Sequence, residues 1–283
     1  FVELGRVYVV AGRRKLEKLA DFKRALKQKY GLGEGANYTP WIRVQDVKSH
    51  GHSGKIDGIK SGRTHHTLSE QETCFFYLAE FSDSVTDIRE QFPLLPLTLS
   101  LKISQLLDIE HPKHPITKDP IIMTTDFLLT CSDGKRIWYE AVTVKPSEKL
   151  SDKRTAEKLD IERVWWELLG VPFHVFCLSE LNQIKSKNIQ WITDPKRKNY
   201  SSPSNKVREE AKRMLTVGTM QLSDVCDTLS HQVGMSNDDA LILLKYLIAD
   251  KEVIVDLARP IVLSGMIEIV QVKMDGKSQQ YAS

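Results

Sequence analysis

The stretch Asp126-Phe-Leu-Leu-Thr-Cys-Ser-Asp-Gly-Lys-Arg-Ile-Trp-Tyr-Glu-Ala-Val-Thr-Val-Lys145 reads as a β-hairpin. Asp133-Gly134 is the strongest short hairpin signal, and Pro146 ends the second strand. A two-residue turn pairs Ser132 with Lys135 and sets Asp126 opposite Ala141. Side chains alternate faces along a strand, so Tyr139, Ala141, Thr143 and Lys145 share a face with Asp126, while Glu140 points away. A four-residue loop keeps these pairs, whereas a three-residue loop flips every side chain.

An Asp, a Thr and a Lys on one strand face, joined by a Glu elsewhere, can serve phosphodiester hydrolysis. Carboxylate oxygens hold Mg²⁺, which acidifies a bound water and offsets charge on the phosphate. A lysine positions that water. Local readings without chemistry are also open. Asp126 can cap its strand and Lys145 can be a solvated strand end. Glu72 lies at the start of a helix expected to run to Phe81, and Ser69 with Glu72 forms a capping box with Leu68 as its staple.

At 283 residues the chain has room for two cores. Cys74, Cys131, Cys177 and Cys226 form no Cys-x-x-Cys pair and lie in apolar company, which argues for a reducing compartment and against structural zinc. No run of eighteen apolar residues suits a membrane span, and no Gly-x-x-x-x-Gly-Lys loop cradles a nucleotide. The net charge of +3 neither demands nor excludes nucleic acid. Its distribution says more. Arg13, Arg14, Lys15, Lys18, Lys23, Arg24, Lys27 and Lys29 face only Glu17 and Asp21, and Leu16, Leu19, Ala20, Phe22 and Leu26 give that stretch an amphipathic helical pattern suited to phosphates.

His50 and His52 sit in a Gly-rich loop, and no Ser-His-Asp arrangement is discernible. After the hairpin, a charged helix spans 151–169, stopped by Gly170 and Pro172, and 173–178 reads as a buried strand. Asn188–Trp191 reads as a short helix end or strand, and Ser201-Ser-Pro-Ser204 as an exposed linker. Beyond it come three helices, 205–215, 222–230 (capped by Ser223) and 236–249, then strand 251–257, a winged-helix pattern. The third helix is apolar and carries only Lys245, whereas a recognition helix offers several polar groups to base edges. Protein binding is the better expectation for this part.

Several phrases resemble TnsA, the endonuclease subunit of Tn-seven-like heteromeric transposases. They are Tyr38–Val47, Gly62–Ser69, Asp87–Pro96, Met123–Leu128, Val144–Pro146 and Thr155–Arg163, in order from about residue 37 to 195. The resemblance implies an α/β fold with a restriction-endonuclease-like core over 37–200, a basic helical segment over 1–36 and a winged-helix-like domain over 201–283. It implies a catalytic set of Glu72, Asp126 and Lys145, with metal held by Glu72, Asp126, Thr143 and Glu162. Thr143 departs from the family's glutamine; a hydroxyl is a weaker ligand, which bears on a second metal. Glu162, spaced four from Lys158, also fits an ordinary helix ion pair.

The expected cofactor is Mg²⁺, two ions per site, with Mn²⁺ able to substitute. Arg13, Arg14, Lys15, Arg63, His65 and His66 are the expected DNA contacts. The implied activity is hydrolysis of the 5′-end, non-transferred strand at transposon ends, in a bacterial cytoplasm at the nucleoid. Implied partners are double-stranded DNA, a TnsB-like transposase and a TnsC-like AAA+ ATPase that meets the C-terminal domain. The alternative is a non-catalytic assembly subunit, which Thr143 recommends.

Overall fold

The computed structural model describes residues 14–47 and 53–274; Arg13, His50 and His52 lie outside them. Among the described residues of the basic segment the α-helix is α1 (Leu19–Lys27), which buries Phe22 and Ala25 against Trp41 and Ile122. The amphipathic helix is therefore shorter than its charge pattern suggests, and Leu19 is exposed. Next, β1 (Gly54–Asp57) pairs antiparallel with β2 (Thr64–Thr67), where the glycines suggested only a loop. Helix α2 (Glu70–Phe81) follows, capped by Ser69 as expected.

A four-stranded sheet forms the centre of the first half. Strand β3 (Val85–Pro93) leads to α3 (Leu97–Leu106), then to β4 (Thr124–Ser132) and β5 (Ile137–Val144). Helix α4 (Lys153–Leu168), capped by Asp152, crosses over to β6 (Phe173–Phe176), which runs parallel to β5. The order is β3-β4-β5-β6, with the first three strands antiparallel. Alternation divides the apolar side chains between two layers. Phe127, Leu129 and Val142 meet Phe76 of α2, and Leu128 and Ala141 meet Ile161 and Trp165 of α4. Strand β6 is an edge with His174 and Val175 exposed, not the buried strand its sequence suggested.

The hairpin register differs from expectation. Ser132 faces Ile137 and Phe127 faces Val142, leaving residues 133–136 as the loop. The Asp133 carboxylate accepts the N–H groups of Lys135 (2.9 Å) and Arg136 (2.7 Å), and Gly134 takes φ +84°. This side-chain-mediated turn centres the loop on Gly134-Lys135 instead of Asp133-Gly134 and so displaces the expected pairing by two residues. A shift of two preserves every face, so Asp126, Ala141, Thr143 and Lys145 still lie together.

Residues 188–191 lie inside a long helix, α5 (Glu180–Arg197), capped by Ser179. It gives Ile189 to the core beneath α2 and Ile192 to the core of the second half. That half runs α6 (Asn205–Met214), β7 (Gly218–Gln221), α7 (Leu222–Val233), α8 (Asn237–Ala249), β8 (Val253–Val255), α9 (Ile261–Ser264) and β9 (Met266–Val272). Its sheet order is β7-β9-β8. Ser223 is not the cap of α7; Gln221 holds that position without a side-chain bond, because β7 runs directly into the helix. Asn188 of α5 donates to the carbonyls of Leu257 and Arg259 and accepts from Ile261 N–H, tying α5 to the second half. Among the described residues no helix is long and apolar enough to cross a membrane.

Candidate active site

Asp126 near the start of β4 is the hub. Its Oδ2 accepts from the Thr143 hydroxyl (2.9 Å), the Val144 N–H (2.7 Å) and Lys145 Nζ (3.0 Å). Lys145 Nζ also donates to Thr143 Oγ1 (3.1 Å) and to the Val144 carbonyl (3.0 Å), matching the three donors of an ammonium. Burial pushes the Lys145 pKa down, but the negative charge of Asp126, Glu162 and Glu72 overrides this and raises it.

Glu72 contributes from the first turn of α2. Its Oε2 accepts the Leu68 N–H (2.9 Å) and its Oε1 the Ser69 hydroxyl (3.0 Å), while its own N–H donates to Ser69 Oγ (3.2 Å). The Ser69 half of the capping box is thus made, while the Glu72 carboxylate takes the Leu68 N–H in place of the Ser69 N–H. Even so, burial and then the Asp126 charge push the Glu72 carboxyl up to about 7. Glu162, on α4, turns inward instead of pairing with Lys158. It is buried, and its Oε1 has no hydrogen-bond partner. Burial, reinforced by Asp126, lifts it to about 8. Three carboxyl groups thus share one lysine, and burial, then the charge of Asp126, raises two of them towards physiological pH.

An orphaned buried carboxylate oxygen is costly, and oxygens of this kind around Asp126 are the donors that could hold a hard cation. Among the described residues, no three His, Cys, Asp or Glu side chains stand gathered as a ready-made cage. Asp126 Oδ2 and both Glu72 oxygens are occupied by protein donors.

The expected DNA contacts fare differently. Arg63 and His65 are corrected, because both are buried around Glu90. Arg63 reaches the two Glu90 oxygens at 2.8 and 2.5 Å, and His65 Nδ1 lies 2.8 Å from Oε2. His65 Nε2 lies 2.6 Å from Ser61 Oγ, so a Ser-His-Glu array exists after all. It is a latch rather than a nucleophile. Ser61 is buried, and a Cβ on Gly58 would fall 2.5 Å from its Oγ, which leaves no room for substrate. His66 is half-buried, and burial lowers its pKa. Arg14 is also engaged: it pairs with Asp46 (2.5 Å), donates to the Trp41 carbonyl (2.6 Å) and stacks on Tyr30 (3.6 Å). Lys15 is exposed.

Sequence reasoning missed Gln91 of β3. Its Nε2 lies 3.3 Å from Asp126 Oδ1, and its Oε1 accepts from the Thr124 hydroxyl (3.0 Å). Its place in the phrase Asp87–Pro96 was the available signal.

A family model described as TnsA-like endonuclease N terminal matches residues 82–177, and one described as TnsA endonuclease C terminal matches 180–257. The chain belongs to the TnsA-like endonucleases. It is 40% identical over 181 residues to Transposon Tn7 transposition protein TnsA of Escherichia coli, covering 63% of this chain. The chain spans 64% of that relative's length. Within this TnsA-like chain, Asp126, Thr143, Lys145 and Glu162 fall inside the N-terminal match, and Glu72 precedes it. The two matches meet at Ser179, the cap of α5, so they assign α5 to the C-terminal part, whereas the linker at 201–204 would leave it in the first.

Proposed function

We propose that this chain is a divalent-metal-dependent DNA endonuclease that hydrolyses the 5′-end, non-transferred strand at transposon ends. The observation that carries the reading is the surplus of negative charge around Lys145, with a buried Glu162 Oε1 that has no hydrogen-bond partner among the described residues. Mg²⁺, with Mn²⁺ as a substitute, would be held by Asp126, Glu162 and Glu72, and when bound it supplies charge for the phosphate and acidity for a water.

The side chains do the rest. Lys145 keeps its proton and stands beside Asp126, where it orients the attacking water and offsets phosphate charge. Thr143 spends its hydroxyl proton on Asp126, so it acts by orienting that carboxylate more than as a ligand. That favours one strongly held ion over the two expected. Glu72 must release part of its cap to reach an ion. This last feature is also what favours the second reading, a non-catalytic assembly subunit in which Glu72 serves only α2.

The C-terminal half supports a partner-binding role. The order α6-β7-α7-α8-β8-α9-β9 is similar to that of a winged helix, with α9 inserted between the last two strands. The helix that would read DNA, α8, is turned inward on Leu243, Leu244 and Leu247. Its Lys245 is buried 4.5 Å above the Trp191 ring. A surface without a basic reading helix suits a protein, and we assign it to the ATPase regulator of a transposition complex that also contains a DDE-type transposase. Domain limits of 37–200 and 201–283 remain part of this proposal.

The test is strand-specific nicking of a plasmid carrying the native transposon end in Mg²⁺, with and without the neighbouring transposase. Wild type should cut the 5′-end strand, and Asp126→Ala and Lys145→Ala should lose about 10²–10³-fold in rate while staying folded. An assembled wild type that never nicks, yet is required for excision, would overturn the nuclease reading in favour of the assembly subunit.

A further inference from the structure

Gln91 stands in β3 across from Asp126, between the pairs Glu90–Phe127 and Phe92–Thr125. Its φ is +49°, in the left-handed region. A non-glycine residue enters that region at a cost of about 1–3 kcal/mol and stays only where its surroundings over-determine it. Here they do. The Gln91 carbonyl accepts the Trp41 N–H (3.2 Å), its Oε1 accepts the Thr124 hydroxyl (3.0 Å) and its Nε2 donates to Asp126 Oδ1 (3.3 Å). The residue is 2% exposed. Chemistry settles which end of the amide is which, because a flipped carboxamide would set its oxygen against a carboxylate.

We propose that Gln91 is a positioning residue of the nuclease site, which holds Asp126 Oδ1 in the orientation needed to take a divalent cation. The inference rests on the endonuclease reading above. The two oxygens of Asp126 are treated very differently. Oδ2 already accepts three donors, one of them the charged Lys145. Among the described residues, Oδ1 receives only the neutral Gln91 amide. An amide fixes the plane of the carboxylate and satisfies one lone pair, but leaves the charge in place. An arginine or lysine there would compete with the cation. The strand bend at Gln91 aims this amide, and Thr124 and Trp41 lock both ends of the residue.

The decisive variant is Gln91→Gly, which removes the amide and suits a positive φ without strain. Its thermal stability should match wild type. Its Mn²⁺ affinity by calorimetry should fall about 10-fold, and kcat for end nicking about 10–100-fold with KM for end DNA unchanged. Gln91→Asn keeps an amide one methylene short in a residue that tolerates this backbone, and should fall between the two. A folded Gln91→Gly that binds Mn²⁺ and nicks like wild type would overturn the inference and leave Gln91 a structural residue. Should Gln91→Gly not fold, full affinity and rate in Gln91→Asn would overturn it equally. Asp126→Ala is the reference: if it keeps both Mn²⁺ binding and nicking, the nuclease reading itself has failed, a result distinct from failure at Gln91 alone.

Discussion

Glu90 and Asp126 are carboxylates on neighbouring strands, and their surroundings are opposite in charge. Around Glu90 a single carboxylate meets Arg63, His65 and the His66 N–H. Burial alone would raise its pKa, but the Arg63 and His65 bonds hold it down at about 2. Around Asp126, two further carboxyl groups crowd one lysine, and Glu72 and Glu162 rise to about 7 and about 8. A buried site that has closed its charge account is built for stability. One left with a surplus of negative charge is built for something that arrives from outside. Arg63 and His65 are spent on closing one carboxylate, whereas Lys145 stands among three.

The largest effect should come from breaking the closed site. Glu90→Ala leaves Arg63 buried and unpaired and should cost about 3–5 kcal/mol of stability in urea titrations. Ionised Glu90 favours the folded state, so its contribution should be whole above pH 4.5 and vanish as pH falls towards about 2. If Glu90→Ala melts like wild type, the contrast between the two sites is lost.

The open site should show the reverse sign. Folding holds Glu162 and Glu72 neutral, so their contribution is full below pH 4.5 and is lost as pH rises through about 7 to 8. In the presence of a chelator, Glu162→Gln should therefore be more stable than wild type at pH 8, by roughly 2–3 kcal/mol, with little difference at pH 5. Mn²⁺ should raise the melting temperature of wild type more than that of Glu162→Gln. An equal rise in both would place the ion away from Glu162.

The smallest effect sharpens the role of Glu72. Ser69→Ala removes a helix cap and should cost about 1 kcal/mol. It also frees Glu72 Oε1 from the Ser69 hydroxyl. If Glu72 takes part in cation binding, Mn²⁺ affinity should hold or improve despite the loss of stability. A drop in affinity matching the stability loss would make Glu72 a capping residue alone.

What was legible in the sequence follows from how local each feature is. The Ser69 cap of α2 lies within one turn and is formed as read, although the Glu72 carboxylate meets the Leu68 N–H and not that of Ser69. The shared face of Asp126, Thr143 and Lys145 survived a wrong turn length because strand alternation repeats every two residues. The turn itself depended on the Asp133 carboxylate, which offers the backbone an alternative to Asn-Gly-type geometry. Arg63 and His65 looked like surface residues because their partner, Glu90, lies 27 and 25 positions away. Nothing near them in sequence announces burial. Glu162 fitted a helix ion pair equally well until packing of α4 on the sheet decided which way it faced. Helix α5 was obscured because its apolar residues serve two different cores and so show no single stripe.

That double service of α5 has a practical consequence. The helix is a rod held in common, with Ile189 in one core and Ile192 and the Asn188 clamp in the other. A cut at residues 201–204 would strip the C-terminal fragment of one wall and leave apolar surface bare. A break before Ser179 would in turn take Ile189 from the first half, so neither half should be separately expressible and the intact chain should melt in one transition rather than two.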